Sequence, residues 1–201
     1  MRSPVEIWMK EHKDAIRHAD ELVELLAPPD IQEKITRPDQ KKLREEIARH
    51  LDAFVEMADG HFRTEENLLL PVLRDNFDLD DPAIREAVGC LGREHDQMHM
   101  FAGRINELLP ALRSDEPLDP SRAAELLRIS YGVQSILRHH CSKEERDIYR
   151  LIEKLPMKEV AKIFDAIEQT PDISLDHLTK PLGMDESIGY RGDGNAEGPE
   201  N

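Results

Sequence analysis

The sequence predicts an all-α protein, an up-down-up-down four-helix bundle with a short fifth helix, and three observations carry that prediction. Apolar residues recur every third or fourth position along four long stretches, as on the buried face of an amphipathic helix. Proline- and aspartate-rich breaks at Ala27–Asp30, Asp80–Pro82 and Ser114–Pro120 separate those stretches. Charged residues make up 34% of the chain and aromatics only 4%, which suits long helices with solvated outer faces. A chain of 201 residues is one domain long enough to bury a substantial core. Residues 1–169 hold the helices, and residues 170–201 read as a flexible acidic, glycine-containing tail without apolar periodicity.

The first helix is expected from Pro4 to Leu26, with Ser3 as N-cap and Pro4 at the first helical position. Its apolar row is Val5, Trp8, His12, Ala15 or Ile16, Ala19, Val23 and Leu26. The second begins near Pro38 and continues to about Asn76, with Pro71 expected to kink it or end it near Leu70. Its row is Leu43, Ile47, Leu51, Phe54, Ala58, His61, Glu65, Leu68 and Val72. The third is capped by Asp80 or Asp81, starts at Pro82 and reaches about Arg113, with Ile84, Val88, Leu91, His95, Met98, Ala102, Ile105, Leu109 and Leu112 in its row. The fourth runs from Pro120 to about Leu155 through Leu126, Ile129, Val133, Ile136 or Leu137, His140, Glu144, Ile148, Leu151 and Leu155. A fifth, shorter helix fits Met157 to Gln169.

Every one of the four long rows carries a histidine, and two add a carboxylate one turn later. His61 and Glu65, like His140 and Glu144, stand four residues apart and so share a helix face. In an antiparallel bundle His61, His95 and His140 fall at one height, since each lies a similar number of residues from its turn. His12 is about 12 Å out of level, so residues 31–37 must form extra structure to absorb the difference. Burying two carboxylates without partners costs several kcal/mol each. No lysine or arginine lies in the four rows, so the neutralising charge is expected from metal. Four imidazoles and two carboxylates, from His12, His61, Glu65, His95, His140 and Glu144, form a ligand set for a pair of transition-metal ions, iron above all.

The remaining chemistry-bearing residues read differently. His99 flanks the site as a non-ligand, and His50 lies about 16 Å along the helix from His61, too far to share it. His18 and His139 point well away from their rows and are expected on the surface, as is the tail residue His177. Glu66 and Glu145 are rotated off the rows and read as solvated helix charges, whereas Glu11 and Glu94 each precede a ligand histidine and are placed to orient one. Cys90 and Cys141 are far apart and form no Cys-x-x-Cys unit, which excludes a four-thiolate site and fits a reduced, cytoplasmic protein. Cys141 is expected as a small buried thiol. A net charge of −15 argues against nucleic acid or an anionic membrane surface as partner, and no stretch is apolar enough to span a bilayer.

Glu-His-Lys-Asp-Ala-Ile at residues 11–16, His-Phe-Arg-Thr-Glu-Glu-Asn-Leu-Leu-Leu-Pro at 61–71, Glu-His-Asp-Gln-Met at 94–98 and His-Cys-Ser-Lys-Glu-Glu at 140–145 together resemble the motifs of the hemerythrin-like (HHE) cation-binding family. The likeness covers roughly residues 5–155. It implies an oxo- or hydroxo-bridged di-iron centre in a four-helix bundle, with His12, His61, Glu65, His95, His140 and Glu144 as ligands and the two glutamates bridging. Oxygen-carrying hemerythrins have a further histidine where this chain has Leu91, and an aspartate where it has Glu145. The resemblance is therefore closer to the branch that includes iron–sulphur-cluster repair proteins and iron- or oxygen-sensing domains, although the cysteine-bearing N-terminal segment of the repair proteins has no counterpart here. The expected function is binding of, or reaction with, oxygen, nitric oxide or peroxide, for sensing, storage or detoxification. The alternatives are a di-iron enzyme or cluster-repair protein, and a metal-free helical interaction module.

Overall fold

The computed structural model describes residues 4–169; the expected Ser3 cap, the tail and His177 lie outside the described residues. Helix α1, Pro4–Leu26, ends where Pro28 and Pro29 withdraw two backbone donors. The connection that had to absorb the level difference does so with a short helix, α2, Ile31–Ile35, which buries both isoleucines, and a tight turn at Pro38–Gln40.

Helix α3, Lys41–Met57, then runs without a break through two π-helical turns, Ala58–Phe62 and Glu65–Leu69, into α4, Leu70–Asn76. Pro71 therefore does not end the helix near Leu70; it stands in the first turn of α4, directly after a π turn. The wider π turn directly before it accommodates a ring that an α-helical interior rejects. Helix α5 spans Pro82–Arg113, with the Asp81 carboxylate accepting from the Ala83 amide at 2.8 Å. Helix α6 spans Pro120–Lys143, with Asp119 accepting from the Ser121 amide at 2.8 Å. A third π turn at Glu144–Ile148 leads into α7, Tyr149–Ile152, and the last helix is α8, Met157–Gln169.

No strand occurs among the described residues. Helix α1 packs against α3 and α6, and α5 packs against the same two, so the four enclose a common interior. That interior holds two apolar clusters. One contains Ala15 to Leu26 of α1, Ile47 to Met57 of α3 with Phe62, Met98 to Leu112 of α5 and Ala123 to Leu137 of α6. The other contains Trp8, Leu69, Leu73, Val88, Leu91, Ile148, Tyr149 and, from α8, Ile163. On every long helix the residues between the clusters are polar: His12, then His61 with Glu65, then His95, then His140 with Glu144. Successive helices enter this polar layer from opposite clusters.

One buried cation departs from the apolar rows. Arg44 is fully buried, while Leu43 beside it is only partly so. Its guanidinium donates to the Arg37 carbonyl at 2.7 Å and the Ser114 carbonyl at 3.2 Å, tying two connections together. Seventeen residues before His61, about 25 Å along the helix, it does not neutralise the carboxylates of the polar layer.

Candidate metal centre

All six residues expected as ligands meet in the polar layer, and each is at most 2% exposed. The Nε2 atoms of the four imidazoles face the two carboxylates. His61 Nε2 and His95 Nε2 each lie 3.1 Å from a Glu65 oxygen. His12 Nε2 and His140 Nε2 lie 3.0 and 3.6 Å from Glu144 Oε2. These approaches are close but not aligned as hydrogen bonds, and both oxygens of Glu65 and of Glu144 are buried without a hydrogen-bond donor. Four buried carboxylate oxygens without a hydrogen-bond donor are groups that positive charge, from a metal ion or from protonated imidazole, would satisfy. His12, His61, Glu65 and Glu144 offer one set of donor atoms close enough to hold an ion, and Glu65, His95, His140 and Glu144 offer a second. The two glutamates belong to both.

The Nδ1 atoms face outward, each toward an oxygen. His61 Nδ1 lies 2.6 Å from Glu11, His140 Nδ1 3.2 Å from Glu94, and His95 Nδ1 3.1 Å from Glu66. His12 Nδ1 lies 3.3 Å from the Tyr149 hydroxyl. Metal-binding histidines are commonly held this way, with the outer nitrogen donating to an oxygen that fixes the ring; His61 and His140 make that hydrogen bond, whereas His95 Nδ1 is close to Glu66 but not aligned for one. Glu11 and Glu94 thus stand where the sequence puts them, as orienting groups. Glu66 does not: instead of a solvated charge it is half-buried between His95 and His99, accepting from His99 Nε2 at 2.8 Å. His99 meets Glu66 and stays outside both donor sets, and Glu145 is partly exposed, with an oxygen 3.9 Å from His12.

Charge shifts in the layer reflect this packing. Burial by itself would lower His61, but Glu65 and Glu11 reverse that and hold it well above the ordinary imidazole range. Burial likewise opposes a charged His140, and Glu144 and Glu94 raise it. Glu65, which burial would push up, is held well below the usual carboxylate range by His61 and His95. The carboxylates draw positive charge toward themselves. Tyr149, shifted far upward by burial and by Glu144, is a neutral phenol.

Tyr149 forms no i, i+4 pair with a ligand residue. It lies five residues beyond Glu144, a spacing that a regular helix turns away and a π turn, with its i+5 repeat, brings back. Its ring stacks on His12 at 5.9 Å and on Trp8 at 6.4 Å, and Trp8 meets His61 edge-on at 6.0 Å. Apolar walls thus close one side of the layer. On another side, Leu91, Glu94, Lys143, Glu144 and Ile148 line a small pocket.

Outside the layer, His139 is exposed as expected, but His18 is not: it is buried and packs against the equally buried His50. Helix α1 is flanked by α3 and α6, so its buried face is wider than one row and takes in both His18 and Leu22. Cys141 is buried, and burial together with Glu144 pushes its thiol up, away from ionisation. Cys90 is partly buried against Lys143 and Glu94.

A family model, the hemerythrin HHE cation binding domain, matches residues 3–152. The chain belongs to this family. No curated protein and no solved structure matches it. The hemerythrin match ends at the last residue of α7, so the bundle and the whole polar layer lie inside it and α8 lies outside. Cation binding is the property the hemerythrin HHE domain brings, and the buried histidine–glutamate clusters are the groups in this chain with the chemistry for it.

Proposed function

We propose that the chain is an up-down-up-down four-helix bundle that holds two iron ions, one through His12 and His61 and the other through His95 and His140, with Glu65 and Glu144 shared. One observation carries this reading: all four imidazoles turn Nε2 inward to the carboxylates and Nδ1 outward to an oxygen. The alternation of helices between the two apolar clusters supports the up-down order. Nitrogen and carboxylate donors without thiolate suit iron over softer ions, and six ligands exceed the needs of one four-coordinate zinc.

Bound iron supplies reversible one-electron chemistry to a small ligand, and oxygen, nitric oxide and peroxide are the ligands that fit so closed a layer. Leu91 and Glu144 both line the pocket beside the layer, so a small molecule approaches there without meeting a further imidazole. This favours reaction with the ligand, for sensing or detoxification, over clean storage. A cytoplasmic setting is supported by the two free thiols.

The test is metal analysis with an optical spectrum on protein expressed in iron-replete medium and purified without chelator. We expect close to two irons per chain and near-ultraviolet charge-transfer absorption in the oxidised state. A single tightly held zinc without iron would refute the proposal. Stopped-flow mixing of reduced protein with oxygen then tests the role: oxidation in air is expected, and oxygen released intact on evacuation would favour a carrier.

A further inference from the structure

A second histidine–carboxylate cluster lies outside the polar layer. His18 of α1 and His50 of α3 are 2% and 3% exposed, with their Nδ1 atoms 3.1 Å apart. Glu21, one turn beyond His18, brings Oε2 to 3.7 Å from His50 Nδ1, and its side chain is 41% exposed. His18 is six residues beyond His12, and His50 eleven before His61, so the cluster is about 9–16 Å from the first site along the helices.

We propose that His18, His50 and Glu21 form a separate site for a divalent transition-metal ion such as zinc, bound through the two Nδ1 atoms and one carboxylate oxygen. Zinc holds imidazole nitrogens at about 2.0–2.1 Å, which in a tetrahedral site places two of them about 3.3 Å apart. The observed 3.1 Å is within a few tenths of an ångström of that spacing. Two imidazoles and a carboxylate leave a coordination position for water, and Glu21 gives the ion a route from solvent.

The surroundings favour neutral ligands. Burial, with Arg17 alongside, lowers His18 to about 4, and burial, with Arg49 alongside, lowers His50. Neither ring therefore has to lose a net proton at neutral pH; the proton shared between the two Nδ1 atoms moves to Nε2 when the ion takes both lone pairs. Glu46 Oε1, 3.5 Å from His50 Nε2, is positioned to accept that nitrogen's proton once Nδ1 is engaged. Arg17 donates to both oxygens of Glu21 at 3.1 and 3.3 Å, and one oxygen keeps that bond when the other turns to the metal. Arg17 also approaches His18 Nε2 at 3.4 Å and Arg49 approaches His50 Nε2 at 3.1 Å. Both guanidinium groups must yield slightly, and Arg17, 39% exposed, has room to do so.

The competing arrangement is a single hydrogen bond between two neutral rings that merely clamps α1 to α3. Zinc titration of the protein as isolated separates the two, with zinc and the resident metal counted in the same sample. We expect one further zinc per chain, with the resident metal retained. Glu21→Gln, on the solvent side where folding is not at risk, should weaken the added zinc by more than the ~10-fold typical of losing an outer partner. Glu46→Gln should weaken it by about that ~10-fold, and His50→Gln should remove it. No further zinc, zinc that replaces the resident metal one for one, or zinc indifferent to both Glu21→Gln and His50→Gln would each overturn the proposal.

Discussion

At the scale of single residues, the polar layer divides into groups that meet the carboxylate pair and groups that aim the rings. Glu65 and Glu144 belong to both sets of donor atoms, so Glu65→Ala or Glu144→Ala should empty both metal positions together, as read by metal per chain. Glu11→Gln, Glu94→Gln and Glu66→Gln each loosen one outer nitrogen and should weaken metal binding about 10- to 100-fold without abolishing it. Glu145→Ala should be nearly neutral, because that side chain is outside both donor sets and no nearer than 3.9 Å to His12. Equal sensitivity at residues 145 and 144 would mean that the ligand register is off by one residue. The six central residues were legible in the sequence because each interrupts an apolar row, where a polar group needs a reason to be buried. Glu66 was not, because the angle that takes it off its row also turns it toward His95 and His99 on the neighbouring helix.

At the scale of elements, the hidden feature is the set of π turns. Row counting tolerates steps of three or four, so one extra residue per turn leaves the apolar pattern intact, and Pro71 was the only local sign. Two of the three turns begin at Glu65 and Glu144, so the wider coil starts at the shared carboxylates and re-aims the side chains beyond them, Tyr149 included. Deleting exposed Asn67 should close the π turn to an α-helical one and leave Leu69 and Leu73 facing their cluster, because the residue removed is the one a π turn holds in excess. We expect bound metal to fall, because the turn begins at the shared Glu65, while stability in urea titration changes little. Asn67→Ala, which keeps the count, should change neither; a well-folded, metal-loaded deletion variant would show that the π turn is dispensable. Helix starts were plainer: Asp81→Ala and Asp119→Ala each remove a cap at 2.8 Å and should cost about 1 kcal/mol with metal content intact. The hidden burial of His18 has a different origin, since a helix between two neighbours presents a broader face than one row reveals.

At the scale of the whole molecule, the two histidine clusters respond to protons in opposite senses, and together they set the pH profile of the metal-stripped chain. His61 and His140 are raised above the ordinary value of 6.5, so their contribution is complete below that pH and is lost as pH rises through their folded values. His18, lowered to about 4, and His50, lowered from 6.5, favour the folded state when neutral; their contribution is complete above 6.5 and is lost as pH falls. Glu65, depressed below its ordinary 4.5, adds a further loss only when pH drops beneath that value. Stability of the stripped protein should therefore peak near pH 6.5 and fall on both sides, each titrating group tilting it by up to about 1.4 kcal/mol per pH unit. Metal changes the alkaline side alone, because ions require neutral imidazoles and ionised carboxylates and bind more tightly as protons leave. The loaded protein should keep its stability to higher pH, and His50→Gln should flatten the acid side of the stripped protein. Urea titrations between pH 5 and 9, with and without metal, measure both limbs, and a stripped protein that grows steadily more stable through pH 8 would show that its imidazoles are not held charged by the buried carboxylates.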